Sequence, residues 1–319
     1  QWKEDATMKT TLVGYTGFVG GNLAHSHSFD NLDNSSNIRD SYGADNGLVV
    51  YSGIPAEKFL ANADPAKDLA RAEGALENIR RMRPEKLVLI STVDVYPTPQ
   101  GVDEDTPPQS GPDAPAYGKN RLALEGWVRR DYPDALIIRL PGLFGKGLKK
   151  NFIFDMFTII PSALTEAKFE ELAASRPLVA ESYAPGDGGF YRLKSLDGEK
   201  RNALYTFYKG NSFNAMSFTD SRSVYQFYDL GRLWADIRRL TDAGLTLVNL
   251  GTEPIGAGEL YEGLFGVPFV NELAKPSVHY DMRTRHAAVL GGKGKYVMDR
   301  QEVLQSVAAF AEENFGWKK

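Results

Sequence analysis

The sequence predicts an α/β fold built on a mostly parallel, doubly wound sheet. Short β-prone runs alternate with helix-length segments, and a glycine-rich turn follows the first run directly. Strands that alternate with helices form parallel sheets, because each crossover helix must pack on a face of the sheet. The 319 residues are enough to bury a substantial core in one large domain or two modest ones.

The alternation is regular in the first 150 residues. Strands are expected at residues 10–13, 48–51, 86–91 and 136–139, and helices at 22–25, 65–82 and 117–130. The helix at 65–82 has the clearest start, since Asp64 is a favourable N-cap and Pro65 suits the first helical position. Pro84 ends it.

Beyond residue 150 the pattern is less regular. Helix-like stretches are expected at 163–174, 229–243, 257–265 and 300–314, with a strand at 245–249. The final helix has apolar residues at helical spacing, including Val303, Val307 and Phe310. We therefore expect a core domain at 8–150 and a smaller C-terminal part at 151–319, interleaved with the last core elements.

The composition excludes several classes of protein. The absence of cysteine excludes disulfides and thiol catalysis and fits a reducing compartment. A net charge of -4 and a pI near 5.7 give no general attraction to nucleic acid or anionic membranes, and no apolar run is long enough to span a membrane. Residues 1–7 lack a signal-peptide core, and we expect Met8 to be the natural start after a short extension. We predict a cytoplasmic protein.

Two other chemistries are disfavoured. The histidines are His25, His27, His279 and His286, and residues two apart on a helix, such as the first pair, point to different faces. No metal site is therefore predicted. The sequence also lacks the Gly-x-Ser-x-Gly nucleophile turn of many hydrolases.

A glycine turn is the strongest functional signal. Gly14, Gly17 and Gly20 lie three residues apart, after a strand and at the start of a helix. A side chain in such a turn would keep the backbone away from a pyrophosphate, and the helix N-terminus offers free N–H groups to it. The arrangement predicts dinucleotide binding in a Rossmann-type fold.

The acidic residue that often follows such a turn accepts hydrogen bonds from a ribose 2′-hydroxyl. Asp33 lies in the expected region and slightly favours NAD over NADP. The neighbouring Asn and Ser residues at 34–37 and Arg39 would instead suit a 2′-phosphate. The sequence leaves both cofactors open.

Taken together, four segments resemble the extended short-chain dehydrogenase/reductase family, whose members are sugar-nucleotide epimerases, dehydratases and reductases. Residues 14–20 are similar to the family's T-G-x-x-G cofactor loop, and 91–96 to the strand-end motif whose catalytic hydroxyl lies four residues before a tyrosine. Residues 117–121 lie where the catalytic Tyr-x-x-x-Lys belongs. Residues 139–145 are similar to the R-P-x-x-x-Y-G segment that closes over the nicotinamide.

The resemblance implies roles for individual residues. Tyr117 would be the general acid/base toward a substrate hydroxyl or carbonyl, and Thr92 would hydrogen-bond the reacting oxygen. A nearby cation would bring the tyrosine pKa into a useful range. The expected cofactor contacts are Gly14, Thr16, Gly17, Phe18, Val19, Gly20, Asp33, Ser52, Gly53, Tyr117, Arg121, Pro141 and Gly142.

One departure from the family concerns the catalytic lysine, whose position is held by Arg121. Arginine keeps the charge and the same helix face as Tyr117, but its planar fork does not replace a compact ammonium. An alternative therefore stays open, in which the chain binds nucleotide as a sensor or interaction protein without turnover.

A second departure concerns the reaction. Dehydratases of the family follow the catalytic threonine with an Asp-Glu pair, whereas this chain has Val93-Asp94, which favours carbonyl reduction or epimerisation. Candidate contacts to a small polar substrate, such as a nucleotide sugar, are Asp94, Asn151 and Arg222. The resemblance also implies a homodimer formed through the helix that carries Tyr117.

Overall fold

A computed structural model describes residues 8–109, 111 and 114–318. Among these, one compact unit (unit 1) is drawn from the described residues up to Gly147, from Val224–Ile255 and from Val278–Val307. A second (unit 2) is drawn from Leu148–Ser223, Gly256–Ser277 and the described residues from Ala308 onward. The expectation about residues 1–7 lies outside the described residues.

The strands of the described chain are β1 (Thr10–Val13), β2 (Asn31–Asp33), β3 (Leu48–Tyr51), β4 (Lys86–Thr92), β5 (Gln100–Val102), β6 (Leu136–Leu140), β7 (Gly142–Phe144), β8 (Ala163–Thr165), β9 (Tyr183–Pro185), β10 (Phe190–Leu193), β11 (Val224–Tyr225), β12 (Phe227–Asp229), β13 (Leu247–Asn249), β14 (Ile255–Gly256) and β15 (Asp281–Met282). The α-helices are α1 (Phe18–Ser26), α2 (Lys58–Ala63), α3 (Pro65–Met82), α4 (Ala116–Asp131), α5 (Phe152–Thr158), α6 (Glu166–Ser175), α7 (Pro177–Ser182), α8 (Gly198–Lys209), α9 (Leu233–Asp242), α10 (Ala257–Phe265) and α11 (Arg300–Phe315).

Unit 1 is built on a six-stranded sheet in the order β13-β6-β4-β3-β1-β2. Its neighbouring strands pair in parallel, which confirms the predicted Rossmann-type α/β fold. The chain runs from β1 out to β2 and then returns to β3 on the other side of β1. Ligands of such sheets bind at the carboxyl ends of the strands where the order reverses, and here those strands are β1 and β3.

The helices α3 and α4 pack together on one face of this sheet. Their apolar residues meet alternate sheet residues in a buried cluster that includes Leu76, Ile79, Leu87, Leu89 and Leu124. Burying each such side chain contributes about 1.5–3 kcal/mol. Helix α3 has the predicted bounds, and the Asp64 side chain caps it by accepting from the N–H of Lys67 at 3.1 Å.

Unit 2 contains the three-stranded antiparallel sheet β8-β10-β9. Its core includes Leu164, Leu172, Tyr183, Leu204 and Tyr208. The expected helix at 163–174 was wrong at its start, because residues 163–165 pair with β10 as a strand. The Thr165 side chain caps the helix that follows, accepting from the N–H of Lys168 at 3.3 Å.

Candidate active site

The glycine turn of unit 1 brings the ends of β1 and β3 into close contact. Gly14 has a φ of +91°, and a Cβ there would lie 2.7 Å from the Cα of Gly53. Beyond β3, the hydroxyl of Ser52 donates to the carbonyl of Val13 at 2.8 Å. Gly14 therefore needs to be glycine for backbone packing. A Cβ on Gly53 would meet only side chains, of which the nearest atom is a methyl carbon of Val13 at 3.0 Å.

Gly20 and Gly17 play different parts in this turn. A Cβ on Gly20 would lie 2.2 Å from the carbonyl oxygen of Gly14, so glycine lets α1 approach β1. A Cβ on Gly17 would meet that same oxygen at 3.3 Å and no other atom of the described chain within 4 Å, aside from its chain neighbours. Gly17 thus faces open space at the N-cap of α1, where a pyrophosphate could reach the backbone N–H groups.

The side chains around that N-cap differ in exposure. Thr16 is exposed, whereas Phe18 and Val19, the first two residues of α1, are half-buried. All three lie between Gly14 and Gly20, and their contacts with a cofactor stay predictions.

Asp33 ends β2 beside the turn, and its carbonyl accepts from the N–H of Gly14 at 2.7 Å. Its side chain is buried, and Oδ2 has no hydrogen-bond partner in the described structure. Burial raises the pKa of this carboxyl, against a hydrogen bond from Ser41 that lowers it. A buried acceptor without a partner is unfavourable, and a ribose hydroxyl would supply the missing donor.

Tyr117 and Thr92 lie together, because the first turn of α4 packs on the residues that follow β4. The N–H of Tyr117 is held by the side-chain oxygen of Asn62 in α2 at 3.0 Å. The tyrosine is 6% exposed, and the close approach of Gly118 to the carbonyl of Asp94 places its helix turn against the end of β4, where Thr92 lies. The structure therefore brings together the two residues to which the resemblance gives catalytic roles.

The charges around Tyr117 act in opposite directions on its phenol. Burial raises the pKa of Tyr117 above its ordinary value, and the carboxylate of Asp94 adds to the rise. The charges of Arg121 and Lys58 and the hydrogen bond with Thr92 act to lower the pKa. The phenol is therefore protonated at neutral pH, and the cations limit how far its pKa rises.

Arg121 is held away from solvent by an ion pair that the sequence did not reveal. Its guanidinium donates to both carboxylate oxygens of Asp68, at 3.0 and 3.2 Å, and to the carbonyl of Pro55 at 2.9 Å. It also lies over the Tyr117 ring, with its carbon 4.6 Å from the ring centroid. With 4% of its surface exposed, Arg121 acts on Tyr117 through its charge, while Asp68 and Pro55 take up most of its donors.

Lys58 and Asp94 form a second pair beside Tyr117. The Nζ of Lys58 lies 2.7 Å from Oδ1 of Asp94, and the Thr92 hydroxyl donates to Oδ2 of Asp94 at 3.0 Å. Val93, by contrast, is buried in an apolar cluster with Val95 and Tyr96. Position 93 therefore faces the core and could not present the second carboxylate of a dehydratase.

The segment after β6 is shaped by packing. Pro141 is buried, and a Cβ on Gly142 would lie 2.6 Å from the carbonyl oxygen of Gln226. That oxygen precedes β12, which pairs with β7. The glycine at 142 is thus explained by strand pairing, and the cofactor contacts of both residues stay predictions.

The two substrate candidates of unit 2 have structural partners. Asn151 has a φ of +113° and caps α5, its side chain accepting from the N–H of Phe154 at 3.1 Å. Arg222 pairs with Asp220 at 2.7 Å and with Glu272 at 3.1 Å. Hydrogen bonding to Asp220 raises the pKa of Arg222. These contacts favour a structural role for both residues over binding of a substrate anion.

In the part of the chain that the structure describes, no group of three or more His, Cys, Asp or Glu side chains is arranged to hold a metal ion. No helix there combines the length and apolar character needed to cross a membrane.

No protein-family model matches the chain, and neither does any curated protein. Solved structures match along nearly the whole length. The dTDP-4-dehydrorhamnose reductase of Bacillus anthracis in complex with NADP is 15% identical, with a TM-score of 0.62 over 96% of this chain and 98% of that one. The UDP-N-acetylglucosamine 4-epimerase of Methanobrevibacter ruminantium is 12% identical, with a TM-score of 0.61 over 96% and 97%.

A short-chain dehydrogenase/reductase superfamily protein of Agrobacterium tumefaciens with bound NAD is 15% identical, with a TM-score of 0.55 over 96% and 97%. The chain therefore has the fold of the short-chain dehydrogenases/reductases, as the four sequence segments predicted.

Proposed function

We propose that the chain is a nicotinamide-nucleotide-dependent reductase or epimerase of the extended short-chain dehydrogenase/reductase family. Its substrate would be a small polar molecule with a hydroxyl or carbonyl group, and nucleotide sugars are the first class to examine. The observation that carries the proposal is the packing of the first turn of α4, which carries Tyr117, on the end of β4, where Thr92 lies, in the same unit as the glycine turn.

The residues around the turn fit a dinucleotide in two respects. Gly17 leaves room at the N-cap of α1, and the Oδ2 of Asp33 lacks a partner that a ribose hydroxyl would provide. We therefore propose NAD as the preferred cofactor. Its nicotinamide would supply or accept a hydride at the substrate carbon.

The protein's own part in the reaction is to move a proton. In reduction, the protonated Tyr117 gives its proton to the carbonyl oxygen of the substrate. For Thr92 to donate to that oxygen as well, its hydroxyl proton must turn away from Asp94, which accepts it in the structure. In oxidation, the phenolate takes the proton of the substrate hydroxyl. Arg121, lying over the ring at 4.6 Å, stabilises the phenolate through its charge.

Tyr117→Phe tests this assignment, because it removes the proton-carrying oxygen and keeps the ring over Arg121. We expect cofactor affinity to stay within about twofold and turnover of a carbonyl or alcohol substrate to fall by roughly 10²–10⁴-fold, as for a lost general acid. An unchanged rate in a confirmed assay would show that Tyr117 has no catalytic role.

A second candidate function is nucleotide binding without turnover. It is favoured by the contacts of Arg121, whose donors serve Asp68 and Pro55 where the family has a lysine. In that case both the natural chain and the Arg121→Lys variant would bind nucleotide, and neither would convert any member of a carbonyl and alcohol panel. Turnover by the natural chain, lost in Tyr117→Phe, would exclude this candidate.

The homodimer through α4 and the cytoplasmic location stay predictions. Sedimentation velocity of the purified chain across a concentration range would test the first.

A further inference from the structure

A chain of short contacts leads from the surface to Tyr117. The Nζ of Lys58 on α2 lies 2.7 Å from Oδ1 of Asp94. The other carboxylate oxygen accepts from the Thr92 hydroxyl at 3.0 Å, and the first turn of α4, which carries Tyr117, packs on the backbone of Asp94. The side chain of Lys58 is 51% exposed and that of Asp94 21%, so this pair forms the solvent side of the site.

Asp94 has two opposing effects on the site. By accepting the proton of the Thr92 hydroxyl, it fixes the direction in which the threonine lone pairs point, and the N–H of Asp94 also donates to that hydroxyl at 3.2 Å. Its negative charge, however, lies beside a phenol that must become a phenolate in one direction of the reaction. A like charge disfavours that ionisation.

The ion pair that Arg121 forms in the structure is with Asp68, whose two carboxylate oxygens both bind the guanidinium. Lys58 is the cation that contacts Asp94 directly. We propose that Lys58 is a positioning residue of the Tyr117 site, which holds Asp94 and offsets its charge, so that Asp94 can orient Thr92 without disfavouring the Tyr117 phenolate. This inference rests on the proposed role of Tyr117.

The electrostatics of the pair agree with this assignment. Burial is the largest single cause and acts to lower the pKa of Lys58. The charge and the hydrogen bond of Asp94, together with the charges of Tyr280 and Tyr117, more than offset it, and the pKa is raised. The charged and titratable groups that act on Tyr117 are Arg121 on its own helix, Asp94 after β4 and Lys58 on α2. Lys58 therefore stays charged at neutral pH.

The test measures the ionisation of residue 117 directly and needs no substrate. A 3-fluorotyrosine, whose phenol is more acidic than that of tyrosine, is incorporated at position 117 and titrated by ¹⁹F NMR at low ionic strength, with and without NADH. We expect Lys58→Met to raise the pKa of this phenol by about 0.5–1 unit, because the exposed pair is partly screened. Asp94→Asn should lower the pKa, and the double variant should return it close to the natural value.

Lys67→Met, at an exposed lysine in the first turn of α3, is the matched control and should leave the ¹⁹F titration unchanged. Oxidation of an alcohol substrate by Lys58→Met should slow by about three- to tenfold at fixed pH, because a pKa rise of about 0.5–1 unit lowers the phenolate fraction by that factor. Lys58→Arg should restore most of the lost oxidation rate.

An unchanged ¹⁹F titration in Lys58→Met, or shifts of the same sign in the two single variants, would overturn the proposal. Shifts of the expected signs in a protein that converts no substrate would support the arrangement and contradict the proposed function. The two failures are therefore distinguishable.

Discussion

A Cβ atom on residue 118 would lie 1.9 Å from the carbonyl oxygen of Asp94, so glycine allows the first turn of α4 to contact the end of β4. The contact is between backbones, which cannot move aside as a flexible side chain would. Tyr117 precedes this glycine, and its place beside Thr92 depends on that close approach.

Gly118→Ala should therefore displace α4. We expect a loss of about 1–3 kcal/mol in the free energy of unfolding from overpacking and a fall in turnover on the order of 10²-fold from misplacing Tyr117. Urea denaturation and a turnover assay measure the two effects. Gly126→Ala, on the same helix with no atom of the described chain within 4 Å of the new Cβ, is the control and should gain about 0.5–1 kcal/mol. Equal behaviour of the two variants would contradict the packing argument.

Asp68→Ala should destabilise the protein more than an ordinary helix substitution. It leaves the buried guanidinium of Arg121 without its two carboxylate contacts and removes an acceptor of Asn120 at 2.9 Å. Breaking a buried pair in this way costs about 3–5 kcal/mol. Asp64→Ala, which removes the N-cap of the same helix, should cost only about 1 kcal/mol. Chemical denaturation of Asp68→Ala and Asp64→Ala compares the two losses in the free energy of unfolding. Losses of similar size would show that the Arg121–Asp68 pair contributes little to stability.

Asp155 predicts a pH dependence of stability in unit 2. Burial raises the pKa of its carboxyl from 3.8 to about 7. Because the unfolded chain ionises at lower pH than the folded one, stability is lost as the pH rises between these two values, by up to about 1.4 kcal/mol per pH unit. Below pH 3.8, the free energy of unfolding of Asp155→Asn should therefore equal that of the natural chain. Between pH 3.8 and about pH 7 the variant should become increasingly more stable than the natural chain, and above pH 7 the difference should stay constant.

Denaturation curves at pH 4, 5.5, 7 and 8.5 would show this divergence. Asp134→Asn, at an exposed site, controls for the loss of a carboxylate. A constant difference between Asp155→Asn and the natural chain at all four pH values would contradict the prediction.

The raised pKa of Tyr117 predicts opposite pH profiles for the two directions of reaction. Burial, the largest cause, keeps the phenol protonated at neutral pH. Reduction should therefore be insensitive to pH from 6 to 9, whereas oxidation should rise by about tenfold per pH unit while the pH stays below the pKa. Plots of kcat/KM against pH in both directions test this, and an oxidation rate that is flat from pH 7 to 9 would contradict it.

Much of the central sheet was predictable because its signals are local. The bounds of α3 follow from Asp64 before it, Pro65 at its first position and Pro84 beyond it, and β3 is an uninterrupted apolar run. Strand β2 was not predicted: it has three residues, of which Asn31 and Asp33 are polar and Leu32 is exposed. Pairing with β1 forms this strand, and pairing across 20 residues leaves no local pattern.

The residues of the candidate site also fall into those that local sequence motifs predicted and those that only the structure revealed. Gly14, Gly17, Thr92 and Tyr117 were predicted, since each belongs to a short motif in a recognisable order. The partners Lys58 and Asp68 were not, because they reach Tyr117 only when α2 and α3 pack on α4. Their spacing from Arg121 and Asp94 in the sequence carries no signal, so the ionic surroundings of the tyrosine required the structure.

The central claim is that the glycine turn binds a nicotinamide dinucleotide. Calorimetric titration of the purified chain with NADH and with NADPH tests it most directly, alongside Gly17→Ala, which adds a methyl group where the pyrophosphate would lie. Gly21→Ala, whose Cβ would lie an ordinary 3.5 Å from the carbonyl of Tyr15, is the control. We predict micromolar binding of NADH, weaker binding of NADPH because Asp33 repels a 2′-phosphate, and loss of affinity in Gly17→Ala alone. A folded chain that binds neither nucleotide would contradict the claim.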